Sequence, residues 1–169
     1  HGFVKGKNYT AASLGLKNGG AMNFILPDKG VKIYDLLSSA DKVSNLLEGG
    51  EEKSGMVTFK LPKFNFNTDI DLGSTLKSLG VKKAFQDKAD FSGISTDQGL
   101  FISEVKQQTH VAIDENGVEA SAFTEIGMAG SALPVDKAEM ILDRPFIFTI
   151  TDRNGVVMLM GVINDPTQK

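Results

Sequence analysis

The stretch from Val118 to Met128 alternates with a period of two residues, and no other feature restricts the fold of this chain as strongly. Val118, Ala120, Ala122, Thr124, Ile126 and Met128 would project to one side of an extended strand, with Glu119, Ser121, Phe123, Glu125 and Gly127 on the other. The first set is small or apolar throughout, so one face of the strand can be buried. Residues 127–134 then bring small, flexible side chains that hold no regular element well. Periodicity alone reads this stretch as a β-hairpin arm running into a soft, cleavable loop.

A buried strand needs partners, and the rest of the chain offers them. Residues 9–14 and 21–26 are apolar runs flanking Lys17-Asn18-Gly19-Gly20, and residues 146–151 and 156–163 flank Asp152-Arg153-Asn154-Gly155. Asn-Gly supplies the positive φ angles of tight turns, so both pairs are predicted to be hairpins. Pro27-Asp28-Lys29-Gly30 ends the first of them. Residues 31–47 carry Ile33, Leu36, Leu37, Val43, Leu46 and Leu47 at near-helical spacing, with a break expected around Ser38-Ser39. Gly49-Gly50 and Glu51-Glu52-Lys53 are expected to close this helix as a loop. Residues 56–67 alternate again and predict one strand bent at Pro62. Asp71 precedes a short helix over 72–79 that Gly80 terminates. Residues 84–95 read as irregular with apolar anchors at Phe85, Phe91 and Ile94, and residues 100–113 read as a strand. Many strands, few helices and mostly antiparallel hairpins give an α+β class.

With 169 residues, 41 % of them hydrophobic, the chain can enclose the core of one domain. A formal charge of −3 with scattered Lys and Arg leaves no footprint for nucleic acid or for a membrane surface. Cysteine is absent, which excludes disulfides, thiolate metal sites and cysteine nucleophiles. No apolar run reaches the roughly 20 residues that span a bilayer. The chain opens His1-Gly2-Phe3-Val4-Lys5 without Met or a signal-peptide pattern, and is expected to be the later part of a longer polypeptide.

Catalytic constellations are not found. His1 and His110 lack metal-ligand spacing, and His110 lies in a strand pattern that suits a structural role. Asp69 and Asp71 lack the Gly and distal Glu of a calcium loop and read as helix capping. Asp114 and Glu115, before Asn116-Gly117, read as a solvated turn. No nucleophile elbow, phosphate loop or dinucleotide fingerprint occurs. Neither a metal nor a cofactor is expected, and the chain is not read as an enzyme.

Three segments in order carry a resemblance. Leu61-Pro62-Lys63-Phe64 leads through Leu72, Leu76, Leu79-Gly80 and Ala84-Phe85 to Ala89-Asp90-Phe91-Ser92-Gly93-Ile94. Glu115-Asn116-Gly117-Val118-Glu119-Ala120-Ser121-Ala122 follows, and then Asp143-Arg144-Pro145-Phe146-Ile147-Phe148 with Met160-Gly161 and Pro166. Together they resemble the serpin family of serine-protease inhibitors, and specifically the C-terminal part of its fold. The N-terminal helical half of that fold is absent, so residues 1–169 are expected to be part of a single serpin domain, with the missing part as a partner.

The resemblance implies that residues 114–143 form the reactive loop. In inhibitory serpins this loop is bait: once cut, its hinge side inserts as a strand into the main sheet and carries the acylated protease with it. Gly117 would be the pivot, and Val118, Ala120, Ala122, Thr124, Ile126 and Met128 the inserting face. The family's spacing places the attacked bond at Ser131-Ala132, with Ala132-Leu133 and Leu133-Pro134 as alternatives, the last disfavoured by its proline. Ala129, Gly130 and Leu133 would contact the protease, and the small residues before the bond imply an elastase-like target held as a covalent acyl complex. Family resemblance further implies a secreted or extracellular protein. Departures from the family's pattern are Val118 at the first inserted position, Phe123 and Glu125 on the opposite face, Gln107 where a histidine is common, and Val162 for a common Lys or Arg. The alternatives are a non-inhibitory serpin-like carrier, chaperone or structural protein, and an unrelated β-rich binding module.

Overall fold

Strands β1 (Gly2–Gly6) and β2 (Tyr9–Gly15) pair antiparallel, with Gly6 opposite Tyr9 and a two-residue turn in which Asn8 takes φ 73. Asparagine tolerates that left-handed conformation better than other side chains. The chain's computed structural model describes residues 2–17, 19–96, 99–113 and 136–167. Strand β3 (Ala21–Pro27) pairs antiparallel with β2 from Tyr9↔Pro27 to Gly15↔Ala21, as the first Asn-Gly signal predicts. The helical pattern over 31–47 resolves into α1 (Ile33–Leu36) and α2 (Ala40–Glu48), broken at the predicted serines. Ser39 causes the break and restarts the helix, its hydroxyl accepting the Lys42 N–H at 3.3 Å.

Next come β4 (Glu52–Lys60), β5 (Phe64–Asp71), α3 (Gly73–Ser78), a 3₁₀ turn over Lys83–Phe85, β6 (Lys106–Ile113), β7 (Asp136–Ile141), β8 (Phe146–Thr151) and β9 (Val157–Ile163). Seven strands form one sheet in the order β7-β4-β1-β2-β3-β8-β9, antiparallel except for the parallel β4–β7 pair. Strands β5 and β6 form a separate two-stranded sheet.

Register sorts the large sheet into two faces. Val4, Ala11, Ile25, Ile147 and Val162 form one cross-strand row, and Phe3, Ala12, Phe24, Phe148 and Gly161 the adjacent, opposite-facing one. The first face packs against the helices through Tyr9, Ile25, Ile33, Leu36, Leu46 and Ile147, all buried. The second is aromatic: the Phe24 ring meets Phe59 edge-on at 5.9 Å, and Phe64 lies 6.1 Å from both Phe146 and Phe148. Phe24 and Phe146 are wholly buried.

Contacts divide the chain into two compact units, His1–Phe64 with Ile113–Lys169, and Asn65–Ala112. In the second unit β5 and β6 run antiparallel, because Leu72 N–H bonds Val105 O, Gln108 bonds Asp69 and His110 bonds Asn67 in opposing order. Asp71 caps as expected, its carboxylate accepting the Gly73 N–H at 2.8 Å, and Gly80 takes φ 100 beyond α3.

Three boundaries and one apolar anchor differ from the sequence expectation. Residues 56–67 are not one bent strand: Pro62 separates β4 from β5, which belong to different sheets. Glu52 and Lys53 are strand rather than loop, because Val4 and Phe3 pair with them. The strand expected from residue 100 begins at Lys106. Ile94, expected as an anchor, is 83 % exposed among the described residues, whereas Phe85 and Phe91 are partly buried.

Candidate functional site

The residues expected to act, Gly117, Val118, Ala120, Ala122, Thr124, Ile126, Met128, Ala129, Gly130, Ser131, Ala132 and Leu133, lie outside the described residues. The site is therefore built from the two elements that flank it. Strand β6 leads in and ends at Ile113, which is 5 % exposed. Strand β7 leads out, and its residues Asp136–Ile141 occupy the C-terminal end of the stretch assigned to the loop.

The alternation of β6 places Thr109, Val111 and Ile113 on one side and Lys106, Gln108 and His110 on the other. Its β5 neighbours match this. The polar sides meet through the Gln108 amide donating to the Asp69 carboxylate at 3.1 Å and the 2.7 Å contact of His110 Nδ1 with the Asn67 amide oxygen. Lys106 donates to the Glu104 carboxylate at 2.7 Å. That bond, the Glu104 charge and the more distant Asp69 and Asp71 raise the Lys106 pKa. Gln107, which stands where the resemblance implies a histidine, is exposed and reaches Thr109 Oγ1 at 3.5 Å. Among the described residues β6 pairs with β5 on one side, and no strand covers its other edge.

The exit is held more firmly. Strand β7 runs parallel to β4 from Gly55↔Asp136 to Lys60↔Ile141, with Ala138 and Met140 buried. The bond from Leu142 N–H to Lys60 O continues the pairing by one residue. Arg144 then forks onto the carbonyl of Pro27, Nε at 3.1 Å and Nη2 at 3.0 Å, while Nη1 reaches Asp143 at 3.1 Å. Sequence reasoning named Arg144 within a motif and missed its clamping role. An arginine before proline at a strand junction was the available signal.

A cavity of about 290 Å³ opens on the helix-bearing face of the large sheet, walled by Ile25, Leu46, Asn23 and Thr149. A polar row crosses it: Ser13 donates to the Asn23 amide oxygen at 2.6 Å, and the Asn23 amide donates to Thr149 Oγ1 at 2.9 Å.

Comparison with known proteins bears on both ends of this frame. The family described as Serpin (serine protease inhibitor) matches residues 2–166. Alpha-1-antiproteinase 2 of Equus caballus is 37 % identical over 147 residues, covering 86 % of this chain and 34 % of that protein. Serpin48 of the insect Tenebrio molitor superposes with a TM-score of 0.75 at 30 % identity, over 100 % of this chain and 44 % of its own. Human thyroxine-binding globulin superposes with a TM-score of 0.74 at 25 % identity, covering 99 % of this chain and 45 % of that one. The chain thus spans about a third of the curated relative's length.

Proposed function

The chain belongs to the serpin family, a family mostly of inhibitors rather than catalysts, and on that premise we propose that it is the C-terminal part of a serine-protease inhibitor acting as a suicide substrate. The observation that supports this reading is strand β6, which precedes Gly117 and the alternating face in sequence and has one edge that no strand covers among the described residues. An uncovered edge is a template for one more strand. Val118, Ala120, Ala122, Thr124, Ile126 and Met128 suit that role, being small or apolar and uninterrupted by proline.

The proposed chemistry belongs to the target. The protease serine Oγ attacks the Ser131 carbonyl carbon, the Ser131–Ala132 amide bond breaks, and the Ala132 amine leaves with a proton. An ester then joins Ser131 to the protease. Insertion of residues 118–128, pivoting at Gly117, carries that ester away before water hydrolyses it. Ala129, Gly130 and Leu133 contact the protease, and their size selects an elastase-like pocket. The first half of the fold completes the main sheet, and the protein acts outside the cell. Digestion of the full-length protein with an elastase-like protease tests the bond: a new amino terminus at Ala132 supports it, and a first cut outside residues 129–134 refutes it.

A second reading, a non-inhibitory carrier, is favoured by the 290 Å³ cavity and by the similarity to thyroxine-binding globulin. The absence of charge and proline on the alternating face weighs against it.

A further inference from the structure

A second and larger cavity, of about 690 Å³, lies where the β1–β2 turn approaches α1 and α2. Its volume falls within the range of small-molecule sites. Its floor is apolar: Tyr9, Leu36 and Leu46 line it, each no more than 8 % exposed. Gly6 helps to make that floor, because the Tyr9 ring occupies the space where a Cβ at Gly6 would stand.

The rim is predominantly cationic. Lys5, Lys7 and Lys42 line the cavity, and among the described residues Asp35 is the one carboxylate in its wall. Among the described residues none of the three lysines is spent on an ion pair. Lys5 donates to Thr10 Oγ1 at 2.9 Å, and Lys42 donates to the main-chain carbonyl of Asp35 and to Ser38 Oγ, both at 2.9 Å. Lys7 has no partner among the described residues. Since an ammonium offers three donors, Lys5 keeps two, Lys42 keeps one and Lys7 keeps all of its own. Two of the cations are already held in place by neutral acceptors, which lowers the ordering cost of using them.

We infer that this cavity binds a small amphipathic organic anion, its apolar body on Tyr9, Leu36 and Leu46 and its carboxylate or sulfonate on Lys5, Lys7 and Lys42. The site shares Leu46 with the 290 Å³ cavity, and the inference stands whether or not the protein inhibits a protease.

Calorimetric titration of the full-length protein with decanoate, 1-decanol and pyrophosphate tests it. Decanoate is expected to bind more tightly than 1-decanol, which lacks the charge, and than pyrophosphate, which lacks the apolar body. Lys7→Gln and Lys42→Gln should each weaken decanoate roughly two- to fivefold and leave 1-decanol unchanged. Lys7 is exposed and makes no hydrogen bond or ion pair among the described residues, so its variant remains informative should Lys42→Gln lower the melting temperature. Undetectable decanoate binding, equal binding of decanoate and 1-decanol, equal binding of pyrophosphate, or indifference of decanoate to Lys7→Gln would each overturn the inference.

Discussion

The guanidinium of Arg144 forks onto the carbonyl of Pro27, 117 residues earlier, with both bonds near 3 Å. Those two donors join the end of β3 to the turn between β7 and β8, where the chain leaves the proposed loop. Lysine cannot reproduce a planar fork. Arg144→Lys is expected to cost about 1–2 kcal/mol of stability, the order of a hydrogen bond to a charged donor. The denaturant midpoint of the full-length protein measures it, and an unchanged midpoint would remove the clamp from the account.

Gly161 stands opposite Phe148 in the β8–β9 register, and the Phe148 ring fills the place of any Cβ there. Phe148 is 1 % exposed and has nowhere to move without disturbing Phe64. Gly161→Ala should destabilise by about 1–3 kcal/mol through overpacking. Adding Phe148→Leu should recover part of that loss, so the double mutant falls short of additivity. Strict additivity would show that the two side chains do not compete for one space.

The Gly161–Phe148 pair lies in a hairpin that the sequence made legible, whereas the contact of Arg144 with Pro27 joins segments that no local pattern connects. The Asn-Gly turns announced β2–β3 and β8–β9 because their partners are neighbours in sequence. The sequence pattern did not reveal that β4 runs parallel to β7, since Gly55 and Asp136 stand 81 positions apart in the chain and neither sequence pattern refers to the other. Strand β1 went unread because Gly2-Phe3-Val4-Lys5-Gly6 is too short for periodicity to register. Ile94 was misplaced as an anchor for a different reason: an apolar side chain implies burial only where a neighbour covers it, and local sequence names no neighbour. The alternating face comes from periodicity and the scissile bond from the family resemblance, and both lie outside the described residues.

A pH dependence follows at Asp90, in the Asp90-Phe91-Ser92-Gly93 turn. Its carboxylate accepts from the Ser92 hydroxyl and from the Ser92 N–H at 3.0 Å, and these bonds hold its pKa below 3.8. A lowered carboxylate pKa means that the turn's contribution is present above pH 3.8 and lost as pH falls through the lowered value. The Ser92 amide resonance should therefore titrate with a midpoint below the ordinary aspartate value of 3.8. A midpoint at or above 3.8 would contradict the assignment.

Substitution on the alternating face separates inhibitor from substrate. Val118→Arg or Ala120→Glu would carry a charge into the sheet on insertion, at a cost of several kcal/mol for an unpaired buried ion. Each variant is expected to be cut at an ordinary rate while losing most of its inhibition. Stopped-flow assays of residual protease activity measure the change, and full inhibition by either variant would refute the facing of these residues.

The central claim is that cleavage ends in a trapped ester rather than in turnover. Incubating the full-length protein with an elastase-like serine protease and resolving the mixture on a denaturing gel tests it most directly. The account predicts a band that survives boiling in detergent, has the summed mass of protease and inhibitor cut at Ser131–Ala132, and disappears when the protease serine is alkylated beforehand. Complete conversion to cleaved protein, with the protease still active and no such band, would contradict it.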